Sequence, residues 1–312
     1  MGEARIKPGG GSLTEQTLFV VTVGSAEGEW HARLLIESLR RFGGRLSDCP
    51  MWVLLLNGTD DPRGFAGLGG VRVLPLEIEE GFPRYYFAGK VYACSRAEEL
   101  AGDGVRSLVW LSPQCLIVNP PELLDLNASF DAAFRPVHIR NVGSPAGEPP
   151  DGFWNGIYRT VGSADAPSTV ESYVGLQEIR PYFNTHLFSI DPSKGVLREW
   201  WELFKTMIAD QEFQSRYCGD EEHRIFLHQA LLSGLLAKRL EWKRIRVLPP
   251  EYSYPLHLHH RVPRARRPTM LNGLVCPVYE ESYRYPDTLN GIGVHEPLKS
   301  WLTERAPTES GV

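Results

Sequence analysis

Leu18-Phe-Val-Val-Thr-Val23, closed by Gly24, is a run of apolar and β-branched residues with no alternating polar position. A strand of that kind offers no face to water, so both of its faces must be covered. Outward from it, Trp30 to Phe42 carries Leu34, Leu35, Ile36 and Leu39 among Arg33, Glu37, Arg40 and Arg41, the spacing of an amphipathic helix. Gly43-Gly44 stops that helix. Met51-Trp-Val-Leu-Leu-Leu56 is a second apolar run, ended by Asn57-Gly58, and Val71-Arg-Val-Leu74 is a third. Strand, helix, strand, loop, strand predicts a parallel sheet packed between helices.

The pattern continues with a helix expected over Lys90 to Leu100 and a buried strand over Ser107 to Leu111. Pro120-Pro121 opens a helical turn at Glu122 to Asp125. Phe130 to Phe134 reads as a strand, and 138–175, rich in Gly, Pro, Ser and Asn, as a long loop with one or two short helices. Tyr182 to Ile190 is a strand, Val196 to Ile208 and Glu221 to Leu236 are helices, and Arg246 to Leu248 ends the regular part. Residues 1–16 are expected to form a disordered leader, 17–303 a single domain, and 304–312 a flexible tail.

Composition narrows the function. The net charge is -5, so no global basic field exists to draw the chain to nucleic acid or anionic membranes. Five cysteines without CxxC spacing exclude a disulfide framework and an obvious zinc module. The longest apolar runs have the length of strands, and the polar N-terminus lacks the apolar core of a signal peptide. The cytosol is the expected compartment. After the first strand stands Gly24-Ser-Ala-Glu-Gly28 in place of GxGxxG, and GxxxxGK[ST], GxSxG and HExxH are absent from the sequence. His257, His259 and His260 have metal-binding chemistry, but no Cys or carboxylate stands at ligand spacing, which favours a surface or packing role.

Five blocks remain, in this order: Phe87-Ala-Gly-Lys90 at a helix start; Leu108-Val-Trp-Leu-Ser-Pro-Gln-Cys-Leu-Ile-Val118 with Asn119-Pro-Pro-Glu-Leu-Leu124; Tyr182-Phe-Asn-Thr-His-Leu-Phe-Ser-Ile190; Gly219-Asp-Glu-Glu-His223; and Gly293-Val-His-Glu-Pro-Leu-Lys-Ser-Trp301. In this order the chain resembles the GT-A-type glycosyltransferases, above all the glycogenin-like and lipopolysaccharide galactosyltransferase-like branch. The resemblance covers about 18–303. It implies an α/β, three-layer, Rossmann-like GT-A domain with a mostly parallel twisted sheet and a sugar transferred from a nucleotide-diphospho-sugar, UDP- or GDP-linked, to an acceptor.

The resemblance also implies roles for single residues. Lys90 stands at the donor-phosphate lysine, His295 at the terminal metal or phosphate histidine, and Lys299 at the lysine of the terminal segment. Asn184 stands at the amide that contacts the donor sugar, with His186 narrowing the pocket beside it. Asp220 and Glu221, with Glu222, stand at the acidic helix start facing the transferred sugar, where carboxylates equally serve as helix caps. Ser112-Pro113-Gln114 occupies the DxD positions, so Ser112 and Gln114 can hydrogen-bond a ribose or sugar but are poor ligands for Mg²⁺ or Mn²⁺. No metal site is expected. A catalytically silent sugar-nucleotide or glycan binder, or a scaffold acting through protein partners, are the alternatives. Arg261, Arg264, Arg266 and Arg267 read as a solvated loop, and Trp154, Tyr158 and Tyr173 either stack on sugars or pin the long loop.

Overall fold

The computed structural model describes residues 16–56, 62–78, 80–163, 166, 168–279 and 291–305. The expected leader, up to residue 15, and the expected tail, from residue 306, lie outside the described residues. Among the described residues seven strands build the central sheet: β1 (Thr17–Val23), β2 (Met51–Leu56), β3 (Val71–Leu76), β4 (Ser107–Leu111), β5 (Ala132–Pro136), β8 (Phe183–Ile190) and β9 (Ile245–Val247), in the spatial order β3-β2-β1-β4-β8-β5-β9. Two short pairs lie outside it, β6 (Val170–Glu171) with β7 (Glu178–Ile179) and β10 (Tyr252–Pro255) with β11 (Cys276–Val278).

The apolar run that opens the chain sits near the sheet's middle. Phe19 pairs with Met51 on one side and Val109 on the other, all parallel. Among the described strands of this sheet only β8 runs against its neighbours, with Leu187 opposite Leu111 and Phe183 opposite Pro136. The amino end of β8 therefore lies at the same edge as the carboxyl ends of β4 and β5. In open α/β sheets that edge is where ligands bind.

Helices α1 (Ala26–Phe42), α2 (Ala88–Leu100), α3 (Gly152–Val161), α4 (Val196–Ala209), α5 (Gln211–Tyr217), α6 (Glu221–Arg239) and α7 (Leu298–Thr303) complete the layers. Leu18, Val20, Trp110, Phe134 and Phe188 point to one face and pack with α2, α3, α4 and α6. Phe19, Val21, Val23 and Val109 point to the other, against Leu35, Ile36 and Leu39 of α1 and against β10 and β11. None of the described helices is long and apolar enough to cross a membrane.

Local differences from the sequence expectation have local causes. Helix α1 starts at Ala26 rather than Trp30, because the Ser25 hydroxyl caps the Gly28 N–H and Glu27 and Glu29 suit the first turn. Helices α5 and α7 and the β10–β11 pair were not expected. The stretch 138–175 holds the ten-residue helix α3, capped by Asp151.

Gly195, the N-cap of α4, has no side chain to cap the helix. Glu98 of α2 does this from across the interface, accepting from the N–H groups of Leu197 (3.0 Å) and Arg198 (2.8 Å). The residue is 4% exposed, so a truncation cannot be repaired by water. Glu98→Ala is expected to destabilise the fold by about 2 kcal/mol, through two orphaned helix donors. Urea unfolding checks this, and a change below about 0.5 kcal/mol would contradict it.

Candidate functional site

Lys90 lies in the first turn of α2, where that helix reaches the carboxyl edge of the sheet. Its Nζ donates to the backbone carbonyl of Thr185 and, at 2.7 Å, to the Thr185 hydroxyl. The Thr185 hydroxyl in turn lies 3.1 Å from His228 Nε2. His228 Nδ1 is 2.8 Å from the carbonyl of Ile225, which can only accept, so the proton sits on Nδ1 and Nε2 accepts from Thr185. Burial first, then the charge of Lys90, holds His228 well below the usual imidazole range, and the ring is neutral. Two ammonium protons are thereby fixed, leaving one for another acceptor.

Aromatic rings close around this ammonium. It lies 5.6 Å from the ring of Phe87 and 6.0 Å from that of Trp110. Burial pushes Lys90 down to about 8, so it is mostly charged at neutral pH and titrates just above it. Phe87, 45% exposed and held at φ 60°, stacks on His228 with centroids 4.3 Å apart. A bulky residue at positive φ is strained, and such strain collects at ligand sites.

Beside this group opens a cleft of about 560 Å³ lined by Arg84, Tyr85, Tyr86 and Arg224. Tyr86 donates to Glu221 at 2.7 Å and Tyr85 to Gln214 at 2.9 Å, which ties the segment before α2 to α5 and α6. Asp220 caps α6: its carboxylate accepts from the His223 N–H at 2.8 Å and meets the His223 ring at 2.8 Å. Those contacts, the backbone one first, hold Asp220 below the usual carboxylate range. Glu221 thus faces the cleft side through Tyr86, while Asp220 is engaged within its own helix start.

The end of β4 lies against β8 beside Lys90, with Leu111 paired to Leu187. The Ser112 N–H donates to the His186 carbonyl at 2.6 Å, and the Gln114 carbonyl accepts from the Tyr279 N–H. Tyr279 reaches His31 of α1 at 2.8 Å. Asn184 is buried; its Oδ1 accepts from Ser253 and from the His186 N–H, both at 3.3 Å, and its Nδ2 donates to the Pro136 carbonyl. His186 stacks on His138 with centroids 6.1 Å apart. The edge therefore gathers Lys90, Ser112, Gln114, Asn184 and His186, with Asp220 and Glu221 at the α6 side.

His295 and Lys299 are not gathered there. Asn272 brackets the His295 backbone and also receives Asn119, in the chain that runs back from β4. Trp301 of α7 packs on Phe42, at the last turn of α1, and Arg305 pairs with Glu37. Helix α7 buries Leu298, Trp301 and Leu302 on the α1 side, which carries both residues towards the amino ends of the parallel strands and leaves them exposed. His259 is a packed histidine, with Nδ1 at Tyr254 and Nε2 at the Gly291 carbonyl. Trp154 and Tyr158 are core residues, and Tyr173 is pinned by its hydroxyl to the Arg266 carbonyl. Arg266 pairs with Glu171, and Arg267 donates to the His260 and Val262 carbonyls.

A divalent cation does not fit the side chains present. Ser112 and Gln114 bring neutral oxygens to the end of β4, and no three His, Cys, Asp or Glu side chains come together as a metal-holding group among the described residues. Positive charge here comes from Lys90, Arg84 and Arg224. Sequence reasoning missed Thr185 and His228 as the lysine's partners and Arg84, Tyr86 and Arg224 as the cleft wall. The run Arg84-Tyr-Tyr-Phe87 just before Lys90 was the available signal for the wall.

The architecture is a GT-A glycosyltransferase fold. Galactosyltransferase LgtC, solved with donor and acceptor sugar analogues, is similar at a TM-score of 0.53 and 15% identity, over 93% of this chain and 95% of that one. An active-site mutant of LgtC gives 0.52 at 13% identity over the same shares. The apo form of the bifunctional glycosyltransferase WbbM gives 0.50 at 13% identity, over 93% of this chain and 52% of that one. At these identities the likeness speaks for the fold. No family model matches the sequence. No curated protein matches it either.

Proposed function

We propose that the chain binds a nucleotide-diphospho-sugar at the carboxyl edge of its sheet and transfers the sugar to an acceptor hydroxyl. The observation that carries this reading is the ammonium of Lys90, held by Thr185 next to a cleft whose wall is two arginines and two tyrosines. In such a transfer the bond between the anomeric carbon and the diphosphate oxygen breaks as the acceptor oxygen attacks, and the hydroxyl proton passes to the departing diphosphate. Negative charge then grows on the leaving diphosphate, and preorganised cations stabilise it. Lys90, Arg84 and Arg224 take that role, the tyrosines offer faces to a base or sugar ring, and Glu221 is the carboxylate nearest the transferred sugar.

The neutral Ser112 and Gln114 favour a second reading, a relative that binds the same ligand without turning it over. A thermal-shift screen of UDP, GDP and their sugars, followed by assay of nucleotide release, separates the two. Ligand in large excess over its Kd is expected to stabilise the fold by about 3 kcal/mol. Release of free nucleotide supports transfer, and binding without release supports the silent relative. Shifts are expected to be the same with Mn²⁺ and with EDTA, since cationic side chains supply the charge. A shift that needs Mn²⁺ and vanishes in EDTA would contradict that part.

A further inference from the structure

Arg135, the fourth residue of β5, is 5% exposed, yet its Nε has no hydrogen-bond partner among the described residues. The guanidinium lies 5.2 Å from the ring centroid of Tyr173. It lines a cavity of about 320 Å³ whose wall also includes Thr169, Glu171, Tyr173, Pro249 and Arg266. The other polar groups of that wall are already engaged. Glu171 is taken by Arg266, Thr169 donates to Glu178, and the Tyr173 hydroxyl donates to the Arg266 carbonyl. Glu171 and Glu251 act on Arg135 only through space.

Burial pushes Arg135 down to about 10, which still leaves it charged at neutral pH. A buried cation without hydrogen-bonded compensation is costly, and an oxyanion in the adjoining space would remove that cost. Three residues on, His138 is 7% exposed and both of its ring nitrogens are unpartnered among the described residues. Burial, then His186 and Arg135, keeps it far below the usual imidazole range, so it adds no competing charge.

We propose that this cavity binds a small molecule through one oxyanion group, a carboxylate or a phosphate monoester, received by the fork of Arg135. A planar guanidinium accepts either group in a two-point contact. Tyr173 and Pro249 offer apolar surface to the rest of the ligand, and the volume suits a body of about monosaccharide size, near the lower limit of small-molecule pockets. The cavity lies where β5 and β9 end, at the carboxyl edge, but Lys90 is not in its wall. The site therefore stands or falls apart from the nucleotide-sugar reading.

The test is calorimetric titration of wild type and Arg135→Gln at low ionic strength with glucose 6-phosphate, glucuronate and glucose. One of the two acids is expected to bind wild type with a millimolar or lower Kd, and the identity of that acid names the oxyanion. Glucose is expected not to bind, and Arg135→Gln is expected to weaken the acid at least about tenfold. Hydrogen exchange of wild type with and without the acid needs no variant. Protection at 135–138 and 169–173 supports the site. Failure of both acids to bind, equal binding by Arg135→Gln, or protection only elsewhere overturns it.

Discussion

Lys90→Met is expected to weaken nucleotide-sugar binding by about tenfold to a hundredfold, the loss of one charge-assisted contact in a partly enclosed site. The variant keeps an unbranched apolar stem against Phe87 and Trp110, so its fold is expected to survive. Two pH effects accompany it. With the ammonium at about 8, wild-type affinity is expected to be flat below neutrality and to fall as pH rises past 8. The folded value lies below the unfolded one of 10.5, so the folded chain holds fewer protons between the two. Wild-type stability therefore gains from this group as pH rises from 8 to 10.5 and lacks that gain below 8. The difference in stability between wild type and Lys90→Met isolates the group from the tyrosines and cysteines that titrate nearby. Unchanged affinity in the variant, measured by calorimetry, would remove Lys90 from the site.

The second large effect concerns the fold. Asp131, 3% exposed just before β5, receives both arms of Arg244 at 2.6 Å, with Lys194 at 3.3 Å and Arg106 at 3.6 Å. The pairing joins the start of β5 to the residue before β9. Asp131→Ala leaves three cations around an empty place. Because Arg244 and Lys194 keep contact with water, the expected cost is about 3 kcal/mol, the lower end for a broken buried pair. Arg244 first, then Lys194, lowers the Asp131 carboxyl from its ordinary value. Its stabilisation is therefore present above the unfolded pKa and lost as pH falls through the folded one. Denaturant unfolding at pH 7 and in acid checks both, and a variant as stable as wild type at pH 7 would refute the assignment.

The sheet was legible because its strands are buried on both faces and so carry unbroken apolar runs, as in Leu18 to Val23 and Ser107 to Leu111. Periodicity also found α4 and most of α6. Composition allows one or two short helices within 138–175 but does not place α3. Gly152 and Gly156 look like loop residues, but a Cβ at either would lie 2.4 Å from Tyr217 or Phe213. They are there so that α5 can approach, a tertiary demand that local composition does not carry. The candidate site was legible in part. Lys90, Asn184 and His186 came from ordered blocks along the chain, whereas the Thr185 and His228 contacts depend on how α2, β8 and α6 meet. The terminal segment matched by residue type, yet the apolar side of α7 carries it to the α1 face.

Hydrogen–deuterium exchange of wild type, alone and with millimolar UDP- and GDP-sugars, tests nucleotide-sugar binding at this cleft most directly. Protection is expected at 84–92, at 184–187 and at 220–228, where Lys90, Thr185 and His228 hold one network. Exchange identical in every mixture, or protection confined to residues away from those three segments, would contradict it.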